Sequence, residues 1–262
     1  MKFPLVAIAL FAGTLGTVRA QQPAKPEDTE VAEPVPAVVM PGKTSSDAPA
    51  DALVLFDGKN LDQWVSADNR TVPANWTVAG GMLTVKKDLG NIETKRSFGN
   101  YQLHMEWRIP ANISGTGQAR GNSGVFLAAL GKGDVGYELQ IVDAYQNKTY
   151  VNGMAGSLYK QSIPLANPAR KPGEWQTYDV VWTAPVFGTS GVLVTPAYAT
   201  VLFNGILVQN HQALTGPTLY IGKPSYQHAH GPAPIKLQAH GDKSEPLSLR
   251  NIWIRELPAT AK

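Results

Sequence analysis

At 262 residues, with 43% hydrophobic and 16% charged residues, the chain can bury a full core, and this length suits a single all-β domain. Of its formal net charge of +3, Lys2 and Arg19 fall in an N-terminal segment that reads as an export signal, whose removal leaves +1. A near-neutral chain gives little attraction for nucleic acid or anionic lipid, so neutral ligands fit better than polyanions. With no cysteine, the chain has no disulfide, thiol nucleophile, cysteine metal site or lipoprotein anchor.

Residues 1–20 carry the features of a signal peptide: Lys2, an apolar run from Phe3 to Leu15, and small residues before a cut at Ala20. That run is too short to favour a membrane span, so the expected location is periplasmic or secreted, without membrane insertion. From Gln21 to about residue 52 the chain is rich in Pro, Ala and Glu and has no aromatic residue, the composition of a disordered tether. The folded domain is expected over residues 53–257.

It opens at Leu53-Val54-Leu55-Phe56 and forms a hairpin from Trp76-Thr77-Val78 through Gly80-Gly81 to Met82-Leu83-Thr84-Val85. Further strands are predicted at Tyr101–Ile109, Ser123–Ala129, Val135–Asp143, Tyr178–Thr183, Tyr198–Phe203, Ile206–Gln209, Ile235–Ala239 and Leu249–Glu256. Asn204-Gly205 marks a type I′ hairpin turn, which needs positive φ at both central residues. No segment after the signal holds a helical period, and 25 Gly with 20 Pro supply turns, so the predicted fold is a β-sandwich or jelly roll. The apolar stretch from Pro185 to Pro196 reads either as an extended hairpin or as a loop without function.

Three strands alternate apolar residues with catalytic-type polar ones. Gln102, His104, Glu106 and Arg108 share one face of the first, Glu138 and Gln140 one face of the second, and Gln238 and His240 one face of the third. A solvated face is the ordinary explanation for any one of them. Together, with few lysines, they predict a single site if the strands are neighbours. Glu106 reads either as an ion-pair partner of Arg108 or, with His240, as a ligand of a divalent metal. Trp107, Trp182 and Trp253 are expected in the core. Walker loops, nucleophile elbows and His-Glu-x-x-His helices are absent. Glu138, Gln140 and Asp143 form Glu-x-Gln-x-x-Asp, similar to the Glu-x-Asp-x-x-Glu signature of laminarinase-type retaining glycosidases, with an amide in place of the middle acid. Their two carboxyls must lie about 5–5.5 Å apart.

Taken in order, Leu55-Phe56-Asp57-Gly58-Lys59-Asn60-Leu61 with Trp64, Glu106-Trp107-Arg108, Gly121-Asn122-Ser123-Gly124-Val125-Phe126, Gly136 to Asp143, Gly156-Ser157-Leu158-Tyr159, Lys171-Pro172-Gly173-Glu174-Trp175, Asn204-Gly205, Leu237-Gln238-Ala239-His240-Gly241 and Arg250-Asn251-Ile252 closely resemble the 3-keto-disaccharide hydrolase domain family. The resemblance spans about residues 53–257. It implies a concanavalin-like β-sandwich that cleaves glycosides already oxidised to a ketone at carbon 3, by hydrolysis or by elimination and hydration. Such a reaction calls for a base, an oxyanion stabiliser and a proton donor. Glu138 or His240 is the expected base, Arg108 and Lys171 the enolate stabilisers, and Tyr159 a donor to the leaving oxygen. His104, Glu106, Asn122, Gln140, Asp143 and Gln238 complete the expected substrate contacts. The alternatives are a non-catalytic carbohydrate-binding module and a laminarinase-like hydrolase.

Overall fold

The computed structural model describes residues 24–258. The expected export signal, residues 1–20, lies outside them. Residues 24–38 form a unit of their own whose one regular element is a 3-10 turn, Pro26–Thr29. The remainder, from Val39, contains every strand.

In chain order the strands are β1 (Leu53–Phe56), β2 (Trp64–Ser66), β3 (Thr77–Ala79), β4 (Met82–Thr84) and β5 (Ile92–Thr94). Next come β6 (Tyr101–Arg108), β7 (Ser123–Ala129), β8 (Gly136–Ile141), β9 (Gln176–Thr183), β10 (Val186–Phe187) and β11 (Leu193–Thr195). The last four are β12 (Tyr198–Phe203), β13 (Ile206–Ala213), β14 (Lys236–Leu237) and β15 (Ser248–Glu256). Helical segments among the described residues are short 3-10 turns.

Two antiparallel sheets make a β-sandwich. One has eight strands in the order β13-β12-β9-β6-β15-β4-β3, with β1 added on β15; the other has five, β2-β5-β14-β7-β8. The core between them takes the apolar half of each alternation: Leu103, Met105 and Trp107 from β6, Leu139 and Ile141 from β8, Val180 and Trp182 from β9. Burial of this kind is worth about 1.5–3 kcal/mol per large side chain. The type I′ turn forms at Asn204 and Gly205, with φ of 51° and 78°. The 185–196 stretch is an extended hairpin, with β10 paired to β11.

Two expectations change here. Of the three strands with catalytic-type residues only β8 and β14 share a sheet, the five-stranded one, while β6 lies in the eight-stranded sheet. Their polar halves point out of opposite sides of the sandwich. Trp253 leaves the core because β15 bulges between Arg250 and Trp253, with Asn251 at φ 47°. The extra residue inverts the alternation, so Ile252 and Ile254 face inward and Trp253 outward. Residues 39–52, within the span expected as a tether, meet this outer face: Asn251 Nδ2 and Trp253 Nε1 donate to Ser46 O at 2.8 and 2.9 Å, and Arg255 pairs with Asp51.

Candidate active site

The outer face of the five-stranded sheet holds a cleft of about 150 Å³, open to solvent. Register explains its floor. Glu93, Lys236, Phe126 and Glu138 are direct cross-strand partners on β5, β14, β7 and β8, so they form one row on the face away from the core. Gln140 follows Glu138 two residues along β8, Gln238 and His240 follow β14, and Asn122 precedes β7. All four line the cleft with Glu138, Tyr159, Asp134, Thr218 and Tyr220.

Three loops wall it. The β7–β8 turn folds over the face because the fully buried Lys236 donates through Nζ to Gly131 O at 2.5 Å and Gly133 O at 2.8 Å. That turn delivers Asp134, whose Oδ1 accepts from Asn91 Nδ2 at 2.9 Å. The 156–159 segment pairs with the free edge of β8, Tyr159 N donating to Glu138 O at 3.0 Å. On the same edge Glu138 N donates to Thr218 Oγ1 at 3.0 Å, which holds the 218–222 loop at the rim.

The Glu138 side chain needs a glycine beneath it. Gly124 sits opposite Gln140 on β7, and a Cβ there would lie 2.5 Å from Glu138 Oε1. The carboxyl is 6% exposed. Burial, and after it the Asp134 charge, push it up to about 8, so it is protonated at neutral pH. Tyr159 OH bonds Tyr150 OH at 2.5 Å, and burial, with that bond, raises Tyr159 well above the ordinary phenol value.

His240 Nδ1 lies 3.0 Å from Asp242 Oδ2, an arrangement in which the carboxylate fixes the ring. Despite its burial, hydrogen bonds from Ser244, His240 and Lys87 hold Asp242 below its ordinary range, so it stays ionised. A proton on Nδ1 donates to this carboxylate and leaves the Nε2 lone pair toward Asn122 Nδ2, 3.4 Å away. Gln238 Oε1 is buried without a hydrogen-bond partner, an acceptor suited to a ligand hydroxyl.

The structure thus gathers Glu138, Gln140, Asn122, Gln238, His240 and Tyr159. It separates the remaining candidates from them. Glu106 pairs with Arg250 (2.6 Å) rather than Arg108, and with His104, which donates through Nδ1 to Asp179 at 2.6 Å; both are on the opposite face. Glu106 and His240 therefore share no metal. Arg108 lies on that face too, 4.6 Å over the Trp175 ring. Lys171 is a surface residue paired with Glu174. Asp143, which completes the laminarinase-like signature, is spent on Arg120 Nε at 2.5 Å. Among the described residues no group of three or more His, Asp or Glu is arranged around a metal position.

Sequence reasoning passed over Asp134, Thr218, Tyr220, Gly124 and Asp242. Asp242 was accessible, two residues after His240 in a His-Gly-Asp turn; Gly124 acts through its place on β7 opposite Gln140, and Asp134, Thr218 and Tyr220 reach the cleft only through the loop packing just described.

A sequence profile described as the 3-keto-α-glucoside-1,2-lyase-like domain matches residues 51–255. A 3-keto-disaccharide hydrolase of Bacteroides thetaiotaomicron is 30% identical over 93 residues, which span 31% of this chain and 29% of that relative. The solved structure of a candidate glycosyl hydrolase from Parabacteroides distasonis is 50% identical, superposes with a TM-score of 0.82, and aligns over 89% of this chain and 97% of its own. Another from the same organism, 23% identical with a TM-score of 0.55, aligns over 79% of this chain and 99% of its own and shares the fold.

Proposed function

The chain belongs to the 3-keto-α-glucoside-1,2-lyase-like domain family, and from that premise we propose that it is an exported enzyme cleaving 3-keto-glycosides by elimination across carbons 1 and 2. Family membership makes it a carbohydrate-active, glycoside hydrolase-like protein; the ketone requirement and the elimination are our reading of the cleft. The observation that carries it is the pairing, in one cleft, of a protonated buried acid with an imidazole backed by a carboxylate.

A ketone at carbon 3 acidifies the hydrogen on carbon 2. His240 Nε2, its ring held by Asp242, takes that proton as general base. The electron pair moves into an enolate whose oxygen Tyr159 stabilises, Tyr150 backing its hydroxyl. The enolate then reforms the ketone and expels the oxygen on carbon 1, which takes the proton of Glu138. The products are an alcohol and a 1,2-unsaturated 3-keto sugar, to which water adds afterwards. Asn122, Gln140, Gln238 and Thr218 bind sugar hydroxyls, while Arg108 and Lys171 stay outside the reaction. Two glycosidase-type carboxylates are not required, consistent with Asp143 being held by Arg120.

The test is to incubate the protein with a 3-keto-glucoside and its unoxidised parent in deuterated water, with and without chelator, and to follow both by NMR. We expect cleavage of the keto form alone, with deuterium at carbon 2. Cleavage without exchange, or of the parent, would refute elimination; no cleavage of either would leave a carbohydrate-binding module.

A further inference from the structure

Four side chains form a chain of hydrogen-bonding groups along the cleft floor. Gln140 Nε2 donates to Asn122 Oδ1 at 3.1 Å and to Gln118 Oε1 at 3.0 Å. Asn122 Nδ2 faces His240 Nε2 at 3.4 Å, and Gln140 Oε1 faces Glu138 Oε1 at 3.1 Å. This chain is complete in one protonation state: Glu138 donates to Gln140, Gln140 to Asn122, and Asn122 to the Nε2 lone pair. The imidazole proton is then on Nδ1, donating to Asp242 Oδ2.

Turning over both amides reverses every bond without moving a heavy-atom position. An ionised Glu138 accepts from Gln140, Gln140 accepts from Asn122, and Asn122 accepts from a proton on His240 Nε2. In this tautomer Nδ1 is bare and accepts from the Asp242 backbone N–H, 3.2 Å away. Asp242 thus serves either tautomer, through its carboxylate or its amide.

The surroundings favour the first direction without locking it. In the first, Gln140 Oε1 faces Ser123 O at 3.1 Å, one acceptor against another. In the second it would face Gln118 Oε1 at 3.0 Å instead. Gln118 cannot turn to relieve that contact, because its own Nε2 donates to Gly153 O at 2.7 Å and Thr149 Oγ1 at 2.8 Å. The first direction therefore carries one mismatch and the second two, because the turned Asn122 Oδ1 would also face Gln118 Oε1 at 3.5 Å.

We propose that Asn122 and Gln140 form a reversible amide relay coupling the proton on Glu138 to the lone pair on His240, so that acid and base change state together. The inference rests on the acid and base roles assigned above. Elimination runs the amides from the first direction to the second: His240 gains a proton at Nε2 and, keeping its Nδ1–H on Asp242 Oδ2, becomes an imidazolium as Glu138 gives its proton to the leaving oxygen. In this capacity Asn122 and Gln140 are positioning residues that hold the two groups in complementary states. The charged and titratable groups around the relay are Asp134 from the β7–β8 turn, Tyr150, Tyr159 and Lys160 from the 150–160 loop, Tyr220 from the rim, and Lys236 from β14. At the other end stand Asp242 and Lys87, 3.0 Å apart.

The experiment needs no substrate, so its outcome is separate from that of the elimination test. Protein carrying ¹⁵N-histidine and ¹³C-carboxyl glutamate is titrated by NMR, with Glu138→Gln and His240→Gln used for assignment. In the native protein the His240 ring nitrogens should show a change from the Nδ1–H toward the Nε2–H tautomer at the pH where Glu138 ionises. In Asn122→Ala that inflection should vanish while Glu138 still titrates, and Gln140→Ala, which breaks the neighbouring link, should give the same result. His240 nitrogens blind to Glu138, or an inflection surviving both variants, would overturn the relay, the latter by showing coupling through space.

Discussion

The two outer faces of the sandwich are built from similar side chains and differ in how those side chains are satisfied. On the eight-stranded sheet, His104 lies between Asp179 and Glu106, Glu106 also accepts from Arg250 and Asn251, and Trp253 stacks on the His104 ring at 5.3 Å. The buried charges there, His104 and Glu106, each have an opposite charge from the protein, and residues 39–52 meet the same surface. On the five-stranded sheet, among the described residues, Glu138 has no cationic partner and Gln238 Oε1 no hydrogen-bond partner. A polar face that completes its own bonds is scaffold. One that leaves a neutral acid, an imidazole lone pair and an orphaned acceptor around a cleft is prepared for a ligand.

Mutating matched residues on the two faces should break this comparison most sharply. His240→Ala and Glu138→Ala should lower kcat on a 3-keto-glucoside by roughly 10²–10⁴-fold each, the range for loss of a general acid or base. His104→Gln and Glu106→Gln should leave kcat near the native value in the fraction that folds. Comparable kcat losses on both faces would refute the division. Gly124→Ala tests the same face without replacing a reacting group: its Cβ would lie 2.5 Å from Glu138 Oε1, so the carboxyl must move. A displacement near 1 Å can cost on the order of 10²-fold, and steady-state kinetics with an unchanged circular dichroism spectrum would show it.

Stability against pH distinguishes the faces by sign. Burial pulls the His104 imidazole down, but Asp179 and Glu106 outweigh it and hold it up at about 9. Raised in the folded state above its ordinary value of 6.5, it contributes stability that is fully present below pH 6.5 and lost as pH rises through 9, up to about 3 kcal/mol by linkage. Glu106, despite burial, is held down to about 2 by His104, Asn251 and Arg250, so its contribution is present above 4.5 and lost as pH falls toward 2. His104→Gln should therefore be less stable than the native protein at pH 6, with the gap closing toward pH 9. Glu138 gives the same slope with pH but destabilises the fold when ionised, where the His104 charge stabilises it. Its pKa is raised by burial without compensation, so native stability falls between pH 4.5 and about 8. Glu138→Gln removes the ionisable group and should melt higher than the native protein at pH 8, the difference vanishing near pH 4.5. Thermal melts across pH 4.5–9 measure both, and a His104→Gln melting above the native protein at pH 6 or a Glu138→Gln melting below it at pH 8 would contradict the assignment.

The alternation of β6, β8 and β14 was legible in the sequence, because period two assigns each residue to a face. Which sheet a strand joins was not, since pairing depends on register with strands more than a hundred residues away, as β14 with β5. Glu106 and Glu138 therefore looked equivalent until topology put them on opposite sides. Trp253 was misplaced for a local reason: the bulge at Asn251 adds one residue and inverts all that follows. His240, Glu138, Asn122 and Gln238 were found because strand position and family motif agreed. Asp134 and Tyr220 were not, because their place at the cleft depends on Lys236 holding the carbonyls of one loop and Thr218 anchoring another.

The smallest expected effect concerns that second loop. Leu219, Tyr220 and Ile221 are all exposed, and of the three Tyr220 lines the cleft. Its carbonyl accepts from Lys160 Nζ at 2.5 Å and its ring lies 4.1 Å from the same ammonium, so the rim side chain is positioned rather than free. An aromatic wall beside a polar floor suits the apolar flank of a sugar or leaving group, a contact worth about 1 kcal/mol. Tyr220→Ala should then raise KM a few-fold and leave kcat and the pH profile unchanged, because it touches neither Glu138 nor His240. Tyr220→Phe should restore KM, since the ring face and not the hydroxyl makes the contact. A fall in kcat with either variant would instead place the rim loop in the assembly of the reacting groups, and the passive wall would have to be given up.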